Sequence, residues 1–437
     1  MHISPSYRTR LLRGLSVTVC ACAAVFAGAL HCLAEPPIEK DDPPAIRRLV
    51  SEHLTLYTDL PPGDEVDALP ALFDQAFPQW CAYFGLDPAD HVSWHVRAHL
   101  MRSRERFEAA GFVPAELHDF TSGYAIGDRL WCYDQTSDYY RRHLLLHEGT
   151  HAFMQSLLGG VGPLWYAEGM AELLATHTLE DGKLTLNQFP KSPGEVSKWG
   201  RIELVQTAFD ALRAKTLERV FEYDAAQHRE NEWYGWCWAA AAFFDGDPRY
   251  RARFRQLHDT VDQPDFTERW REALGDDWGR AQEDWQLFVA NLDYGYDFAR
   301  TNVEMVAGEP LPAEGARIEV AADRGWQSSG IRLTEGRTYR VVARGRYQVA
   351  AEPSVWWCEP GGVTIRYHDG LPLGILLAAV RADGAPSGTT GLIKPLAIGL
   401  ESALRAPRDG TLYLRINESS GELSDNAGSL QVDVLPE

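Results

Sequence analysis

The sequence predicts a multidomain α+β protein, in which a mostly helical domain with a small edge sheet is followed by a β-sandwich. Between residues 45 and 299, long segments carry apolar residues at helical spacing. After about residue 316 these give way to short alternating runs separated by Gly, Pro, Asp and Asn turns. The chain has 437 residues, 45% hydrophobic and 24% charged, which suits about two to three folded domains.

The first 34 residues have the pattern of a secretory signal peptide. Three arginines precede an apolar run, residues 15–33, that contains no Lys, Arg, Asp or Glu. Cys32 and Ala34 supply the small residues expected before a cleavage site. We therefore expect export to the periplasm or the outside of the cell, with a retained N-terminal anchor as the alternative. No later stretch is long and apolar enough to span a bilayer.

We expect three segments: the signal peptide at 1–34, the mostly helical domain at 35–304 and the sandwich at 305–437. A Pro-rich tether at 35–44 and a Gly- and Pro-rich linker at 308–312 begin the second and third segments. Six helices are predicted, at residues 68–84, 137–158, 165–177, 202–221, 234–244 and 266–292. Seven strands are predicted, at residues 318–322, 331–333, 339–343, 363–367, 373–380, 412–416 and 430–434.

Charge and cysteine content narrow the function classes. The formal net charge of −20 repels phosphate backbones, so nucleic acid is not an expected partner. Four cysteines lie beyond the predicted signal peptide, and their spacing is that of neither a zinc ribbon nor a redox pair. They can form disulfides in an oxidising compartment or remain buried free thiols: Cys81, Cys132, Cys237 and Cys358.

A His-Glu-x-x-His motif lies inside the predicted helix at 137–158. Residues four apart face the same side of a helix, so His147 and His151 can reach one metal ion. Glu148 lies one step around the helix, where its carboxylate can meet a metal-bound water instead of the metal. The alternative is a pair of histidines on a solvated helix face, which the apolar neighbours of the motif argue against.

A third ligand is predicted at Glu168, seventeen residues past His151. Glycines and a proline between the two would turn the chain back, so that a second helix runs beside the first. Glu168 can then complete a three-ligand site and leave a fourth position for water, as catalytic zinc requires.

His-Glu-x-x-His followed by Trp-x-x-Glu-Gly-x-Ala resembles the gluzincin superfamily of zinc metallopeptidases, over about 60 residues around the motif. The resemblance implies that His147, His151 and Glu168 bind zinc and that Glu148 is the general base. It also implies that Glu172 hydrogen-bonds a zinc-bound imidazole, as in thermolysin-like relatives. A solvated helix carboxylate is the alternative for Glu172.

The same resemblance implies a Tyr or His that stabilises the oxyanion, some sixty residues past the third ligand. Tyr234 and His228 both fall there; we prefer Tyr234, and ordinary packing is the alternative for either. The strand predicted at 123–131 resembles the edge strand that pairs with peptide substrate in these enzymes. His143 is expected to be a packed or surface residue and not a ligand. The Gly-x-Met-Glu-Asn motif of aminopeptidases is absent, so the expected substrate is a peptide or protein of unspecified cleavage mode.

The C-terminal segment resembles galactose-binding bacterial lectins of the PA-IL type. Residues 410–418 and 425–430 carry the resemblance, with weaker landmarks over nearly the whole segment. It implies carbohydrate as a partner and Ca²⁺ as a cofactor, because the loop gathers hard oxygen donors. A polar turn without metal is the alternative. The implied side-chain ligands are Glu418, Glu422, Asp425 and Asn426, with a backbone carbonyl near Val349.

The sequence therefore predicts a secreted zinc metallopeptidase, a hydrolase with a lectin-like appendage. One rival is a non-catalytic, secreted carbohydrate-binding protein whose helical domain is a scaffold. Another is a zinc hydrolase of a non-peptide amide, because the same water activation serves any amide carbonyl. No phosphate-binding loop, serine nucleophile elbow or dinucleotide fingerprint is present in the sequence.

Overall fold

The computed structural model describes residues 45–115, 117, 119–224, 230–384 and 388–437. The predicted signal peptide, the tether at 35–44 and His228 lie outside the described residues. Within the described ranges, no helix combines the length and the apolar character needed to cross a membrane. The chain is α+β: helices dominate the first part, up to about residue 304, and strands dominate the rest.

Twelve α-helices are found in the described residues of the first part. Their bounds are α1 (Asp64–Asp67), α2 (Leu69–Phe84), α3 (Arg104–Ala109), α4 (Asp138–Phe153), α5 (Leu164–Ala175), α6 (Arg201–Asp210), α7 (Leu217–Phe221), α8 (Asn231–Gly246), α9 (Arg251–Gln256), α10 (Phe266–Leu274), α11 (Asp277–Asn291) and α12 (Phe298–Thr301).

Helix α4 shows why this part of the sequence folds as it does. Ser137 caps its start, because the side chain accepts a hydrogen bond from the Tyr140 amide at 3.3 Å. A π-helical turn, Met154–Leu158, continues the helix and ends at Gly159 in the left-handed conformation. Nearly every residue of α4 from His143 onward is buried, so this helix lies in the core.

Two predicted helices are each broken in two, and these predictions were wrong. The segment 202–221 divides into α6 and α7, because Leu212 takes a positive φ of 57° and Thr216 caps a new start. The segment 266–292 divides into α10 and α11 at Gly275, whose φ is 53°. Apolar spacing continues across both breaks because both halves pack on one core.

A five-stranded sheet lies beside these helices. Its strands are β1 (Arg47–Val50), β2 (Leu54–Thr58), β3 (Val96–Met101), β4 (Gly123–Ile126) and β5 (Arg129–Tyr133), in the order β1-β2-β3-β5-β4. Strands β2, β3 and β5 are parallel neighbours, and β4 is antiparallel to β5 at one end of the sheet. A separate hairpin is formed by β6 (His177–Glu180) and β7 (Lys183–Leu186).

This sheet is larger than the sequence predicted. The single strand expected at 123–131 is a hairpin, because the chain turns at Gly127, which has a φ of 58°. The first three strands were missed, because each is short and helical segments dominate the sequence around them.

The second part of the chain consists of two main sheets and two small hairpins. Its strands are β8 (Glu309–Pro310), β9 (Ala316–Ala321), β10 (Gln327–Leu333), β11 (Thr338–Arg344), β12 (Tyr347–Ala350), β13 (Trp356–Cys358), β14 (Val363–His368), β15 (Leu371–Leu373), β16 (Leu376–Arg381), β17 (Leu396–Ala397), β18 (Glu401–Arg405), β19 (Gly410–Ile416) and β20 (Ser429–Pro436). One sheet has the order β17-β16-β19-β10-β8 and the other β18-β11-β20-β9. Both contribute to one hydrophobic core, as in a β-sandwich.

Two details differ from the sequence prediction. The strand expected at 373–380 divides into β15 and β16 at Gly374, where a Cβ atom would lie 2.6 Å from the Cys358 sulfur. The segment expected to be a linker contributes β8, which pairs in parallel with β10. A Cβ atom at Gly308 would come within 2.7 Å of the Ile331 carbonyl carbon, so this segment is tightly packed.

Polar and apolar contacts hold the two parts together. The guanidinium of Arg381 on β16 donates to both carboxylate oxygens of Glu283 on α11, at 2.9 and 2.8 Å. Thr390 donates a further hydrogen bond to Glu283. Leu287 joins a hydrophobic cluster with Leu377 and other residues of the sandwich. The outer face of β16 is therefore buried, which explains why all six of its residues are apolar or paired.

The four cysteines in the described residues are buried free thiols. The sequence left disulfides and buried free thiols as alternatives, and the structure has the free thiols.

Candidate functional site

The His-Glu-x-x-His motif lies on α4, and Glu168 lies on the neighbouring helix α5. The chain reverses between them through Gly159 and Gly162, both with positive φ, so that the helices pack side by side. Helix α5 is buried from Trp165 to Ala175. Gly169 allows it to approach α8 closely, because a Cβ atom there would lie 2.8 Å from the Cys237 carbonyl oxygen.

Three donor atoms converge between α4 and α5. The Nε2 atoms of His147 and His151 are 3.2 Å apart. Glu168 Oε2 lies 3.2 Å from the first of these nitrogens and 3.6 Å from the second. His147 and Glu168 are buried, and His151 is partly exposed. The three side chains are therefore placed so that they can hold a metal ion.

Glu172 lies beside Nδ1, the other ring nitrogen of His147. Its Oε1 lies 3.5 Å from His147 Nδ1, while Oε2 lies 3.1 Å from His143 Nε2. Arg201 donates to both oxygens, at 2.8 and 3.1 Å, and the Trp199 indole donates to Oε2 at 3.1 Å. Glu172 is 1% exposed, so it is not the solvated helix carboxylate that was its alternative.

These contacts determine the charge of Glu172. Burial works against the ionised form, but Arg201 and His143 outweigh it and hold the pKa of Glu172 well below its usual value. A fixed negative charge beside Nδ1 favours the tautomer of His147 that carries its proton there. The Nε2 lone pair then faces the other two donors.

A second group of candidate donors consists of His143, His147 and Glu172. The Arg201 guanidinium already occupies both oxygens of Glu172, and its positive charge would repel a cation placed there. Of the two groups, His147, His151 and Glu168 are therefore the better candidates for holding a metal ion. His143 is a packed residue, in agreement with the sequence interpretation.

Glu148 faces the backbone of β4. A Cβ atom built on Gly123 would lie 2.3 Å from Glu148 Oε1 and 2.9 Å from its Cδ. The carboxylate therefore lies directly under the main chain of the edge strand, in space that only glycine leaves open. The pKa of Glu148 is raised to about 8, chiefly by burial and also by the nearby Glu168 and Glu172, with His151 acting in the opposite direction.

Among the residues that the structure describes, no strand pairs with the outer edge of β4. Tyr124 and Ile126 lie opposite Trp131 and Arg129, and the Tyr133 amide donates to the Ser122 carbonyl. Hydrogen-bonded pairs alternate along an antiparallel ladder, so residues 122, 124 and 126 point their N–H and C=O groups at β5. Gly123 and Ala125 then point theirs at the open side of the sheet.

Tyr234 lies on α8 near the three donors. Its ring centroid is 6.2 Å from that of His147, and the Arg201 guanidinium lies 5.5 Å from its ring. Burial and the nearby carboxylate of Glu168 raise the pKa of the phenol well above its usual value, so the hydroxyl keeps its proton. The protonated hydroxyl of Tyr234 is therefore carried on a ring that contacts His147, one of the three candidate ligands.

The loop predicted to bind calcium is a compact polar turn. Glu418 is 2% exposed, and burial, together with the nearby Glu422, raises the pKa of its carboxyl to about 8. Asp425 accepts from the Ala351 amide at 2.9 Å, and Arg366 lies 2.6 Å from Glu422 Oε1. Two buried oxygens of this loop have no hydrogen-bond donor among the described residues: Glu418 Oε2 and Asn426 Oδ1. Val349 is buried on the neighbouring strand β12.

Sequence reasoning missed Arg201, Trp199 and Gly123 at this site. Arg201 and Trp199 belong to no motif, and a charged residue at the start of a helix normally indicates a position exposed to solvent. A weak signal for Gly123 was available, because a glycine at the start of a predicted strand often marks close approach of another group.

Comparisons with known proteins add little to this geometry. No protein-family model and no curated protein matches the chain. Among solved structures, the chain is similar to the N-terminal domain of EclA, a PllA-like lectin. The sequence identity is 22% and the TM-score 0.21, and the match covers 28% of this chain and 95% of that one.

Proposed function

We propose that the protein is an exported zinc peptidase that hydrolyses peptide bonds where α4 lies beside β4. The observation that carries the proposal is the convergence of His147, His151 and Glu168, with Glu148 beside them under an open strand edge. Export rests on the predicted signal peptide at residues 1–34.

The donor set suits zinc. Two imidazoles and one carboxylate are a ligand set of catalytic zinc sites, which keep the fourth position open. Tetrahedral zinc with bonds of about 2.0–2.1 Å needs its donors roughly 3.3 Å apart. The three observed separations, 3.2, 3.2 and 3.6 Å, lie around that value. Glu172 supplies the outer carboxylate that commonly orients a zinc-bound imidazole.

The chain's own residues supply the remaining parts of the reaction. Zinc in such a site acts as a Lewis acid towards water and the substrate carbonyl. Glu148 accepts the proton that the attacking water gives up and passes it to the departing amine nitrogen. A C–O bond forms and the C–N bond breaks. Tyr234 donates a hydrogen bond to the oxygen on which negative charge develops.

Strand β4 is the element that binds substrate in this proposal. An extended peptide can add to the sheet by pairing with the free backbone groups of Gly123 and Ala125. This places a peptide carbonyl next to Glu148, because that carboxylate lies against Gly123. Strand addition needs a peptide backbone, and this favours a peptidase over a hydrolase of non-peptide amides.

Metal content and turnover test the proposal together. Purified protein should carry about one zinc per chain, and Glu168→Gln should carry much less. Glu148→Gln should keep the metal but lose at least 100-fold in turnover on a broad peptide library, because general-base catalysis contributes about 10²–10⁴-fold. Glu272→Gln, an exposed carboxylate on α10, is the matched control. Wild-type protein without zinc, or Glu148→Gln cleaving at the wild-type rate, would contradict the peptidase assignment.

We also propose a Ca²⁺ site in the loop between β19 and β20. Its support is the pair of buried acceptor oxygens without donors, on Glu418 and Asn426, since such groups are costly to bury alone. Glu422 is not among the proposed ligands, because Arg366 lies against both of its oxygens. Calorimetry with Ca²⁺ should detect binding that Glu418→Ala abolishes; equal heats from both proteins would refute the site. Carbohydrate binding by this part of the chain stays a prediction, which a glycan array with and without chelator tests.

A further inference from the structure

Two large apolar side chains are exposed on the strand proposed to bind substrate. Tyr124 is 39% exposed and Ile126 is 37% exposed. Side chains alternate along a strand, and Gly123 faces Glu148 on α4, so Tyr124 and Ile126 project from the opposite face of the sheet. Exposed apolar pairs at the edge of a sheet are a liability for a protein unless they have a use.

Aromatic neighbours extend this apolar surface. The ring of Tyr124 lies 6.1 Å from that of Phe120 in a stacked arrangement, and Phe120 lies 5.1 Å from Tyr133. Trp131, directly opposite Tyr124 on β5, is fully buried beneath the same face with Phe107. The face next to the open edge is therefore a continuous aromatic and aliphatic strip, which we call the outer strip, formed by Phe120, Tyr124, Ile126 and Tyr133.

Charged groups border the outer strip, and two of them are held in ion pairs. Arg104, whose guanidinium lies 5.8 Å from the Phe120 ring, pairs with Glu108 at 2.8 Å. Asp128, in the turn of the β4–β5 hairpin, pairs with Arg97 at 2.9 Å. Arg129, directly opposite Ile126 on β5, places its guanidinium 5.5 Å from the centre of the Trp131 ring. The surface that Tyr124 and Ile126 present is therefore apolar, with the cation of Arg129 at its border.

Strand addition fixes which substrate side chains meet this surface. A peptide paired with Gly123 and Ala125 places the residue opposite Tyr124 on the outer face, and the residue opposite Ile126 two positions further along. Its intervening residues face α4. Because Glu148 lies against Gly123, the scissile bond lies at that end of β4, and both outward positions fall on one side of it.

We propose that Tyr124 and Ile126 are specificity-determining residues, which select peptides with apolar side chains at two positions, two residues apart, on one side of the scissile bond. This rests on the peptidase function proposed above. Cross-strand pairs of aromatic and β-branched or aliphatic residues contribute a modest amount each, so the selectivity should be about two- to fivefold per position.

The test separates binding from cleavage. Binding of fluorescent peptides is measured on Glu148→Gln and on the same protein carrying Tyr124→Thr, Ile126→Thr or both. The peptides carry Leu or Phe, or Ala or Ser, at the two positions. Each Thr variant should weaken binding of the apolar peptides about two- to fivefold, and the double variant about four- to twentyfold. Binding of the Ala and Ser peptides should not change. Tyr124→Phe should retain the preference, as should Ile365→Thr, which alters an exposed apolar residue of the sandwich.

Cleavage of the same peptides by proteins with an intact Glu148 gives the second readout. The Thr variants should raise KM for apolar peptides and leave kcat unchanged, because the outer strip binds substrate without touching the reacting bond. Equal binding of all peptides to Glu148→Gln, or an unchanged preference in the double variant, overturns the specificity proposal. Selective binding without any cleavage by the wild type would instead refute the peptidase function and leave recognition by the outer strip intact. Equal melting temperatures show that the exposed substitutions do not unfold the strand.

Discussion

Replacing Gly123 with alanine should separate the position of Glu148 from metal binding and from stability. The added Cβ would lie 2.3 Å from Glu148 Oε1 and 2.9 Å from Cδ and Cγ, whereas ordinary contacts begin at about 3.4 Å. The carboxylate must therefore move by about 1 Å. The atoms displaced are the far end of a flexible side chain, so the cost to stability should stay at or below about 1 kcal/mol.

Catalysis should suffer more than stability. A misplacement of about 1 Å at a catalytic group can cost on the order of 100-fold in rate. We expect Gly123→Ala to lower kcat about 10- to 100-fold, with little change in KM, because the backbone groups that pair with substrate remain. Zinc content should equal that of the wild type, because Gly123 contacts Glu148 and not the three ligands.

The assay combines steady-state hydrolysis of one good peptide with metal analysis and thermal unfolding. Gly194→Ala is a suitable control, because a Cβ there meets only the Ser192 hydroxyl, at 3.8 Å. If Gly123→Ala hydrolysed the peptide at the wild-type rate, the position of Glu148 against β4 would not matter for catalysis, and the reasoning would be refuted. If it lost its zinc, the effect would belong to the metal site as a whole.

Three further predictions concern buried ionisable side chains. Arg201→Leu should lower the free energy of unfolding by about 3–5 kcal/mol, because it leaves Glu172 buried without its cation; a urea titration showing less than about 1 kcal/mol would contradict this. Burial lowers the pKa of His99 to about 4. The unfolded chain therefore binds a proton below about pH 6.5 that the folded chain resists until about pH 4. Stability due to the neutral ring is complete above pH 6.5, and roughly 3 kcal/mol is lost as the pH falls to 4. Urea titrations of His99→Phe should show a shallower decline over that window than the wild type, and an equal slope would refute the assignment. Arg381→Leu should cost about 3–5 kcal/mol by isolating Glu283 between the two parts of the chain. In calorimetry, a single unchanged transition would count against that contact.

The parts of the site that the sequence predicted are those carried by local spacing. His147 and His151 are four residues apart on one helix, and Glu168 follows a turn rich in glycine, so local geometry almost determines their meeting. The α+β class follows in the same way from apolar periodicity. Apolar periodicity alone did not predict the helix breaks at Leu212 and Gly275. The helices on either side of each break pack on one core, so the spacing of their apolar residues continues across it.

The parts that were missed depend on contacts between distant segments. Arg201 is twenty-nine residues from Glu172, and nothing in its local sequence marks it as buried. Trp199 looks like any core aromatic until its indole is found 3.1 Å from the same carboxylate. The strands β1 to β3 are short and surrounded by helical segments, so only their pairing in three dimensions reveals the sheet whose free edge Gly123 occupies.

The charge balance of the centre gives a separate reason to expect a divalent cation. Three buried carboxylates, Glu148, Glu168 and Glu172, meet near one buried guanidinium, that of Arg201. The guanidinium is fully engaged with Glu172, and burial raises the pKa of Glu148 to about 8, which leaves Glu168 as the carboxylate whose charge something else must balance. Burying unbalanced carboxylates is costly, and ionised groups in protein interiors are paired or coordinate metals. A dication held by His147, His151 and Glu168 would balance the charge of Glu168, and its second charge would favour the ionised form of Glu148. Packing alone does not account for a buried carboxylate placed against two converging imidazole nitrogens.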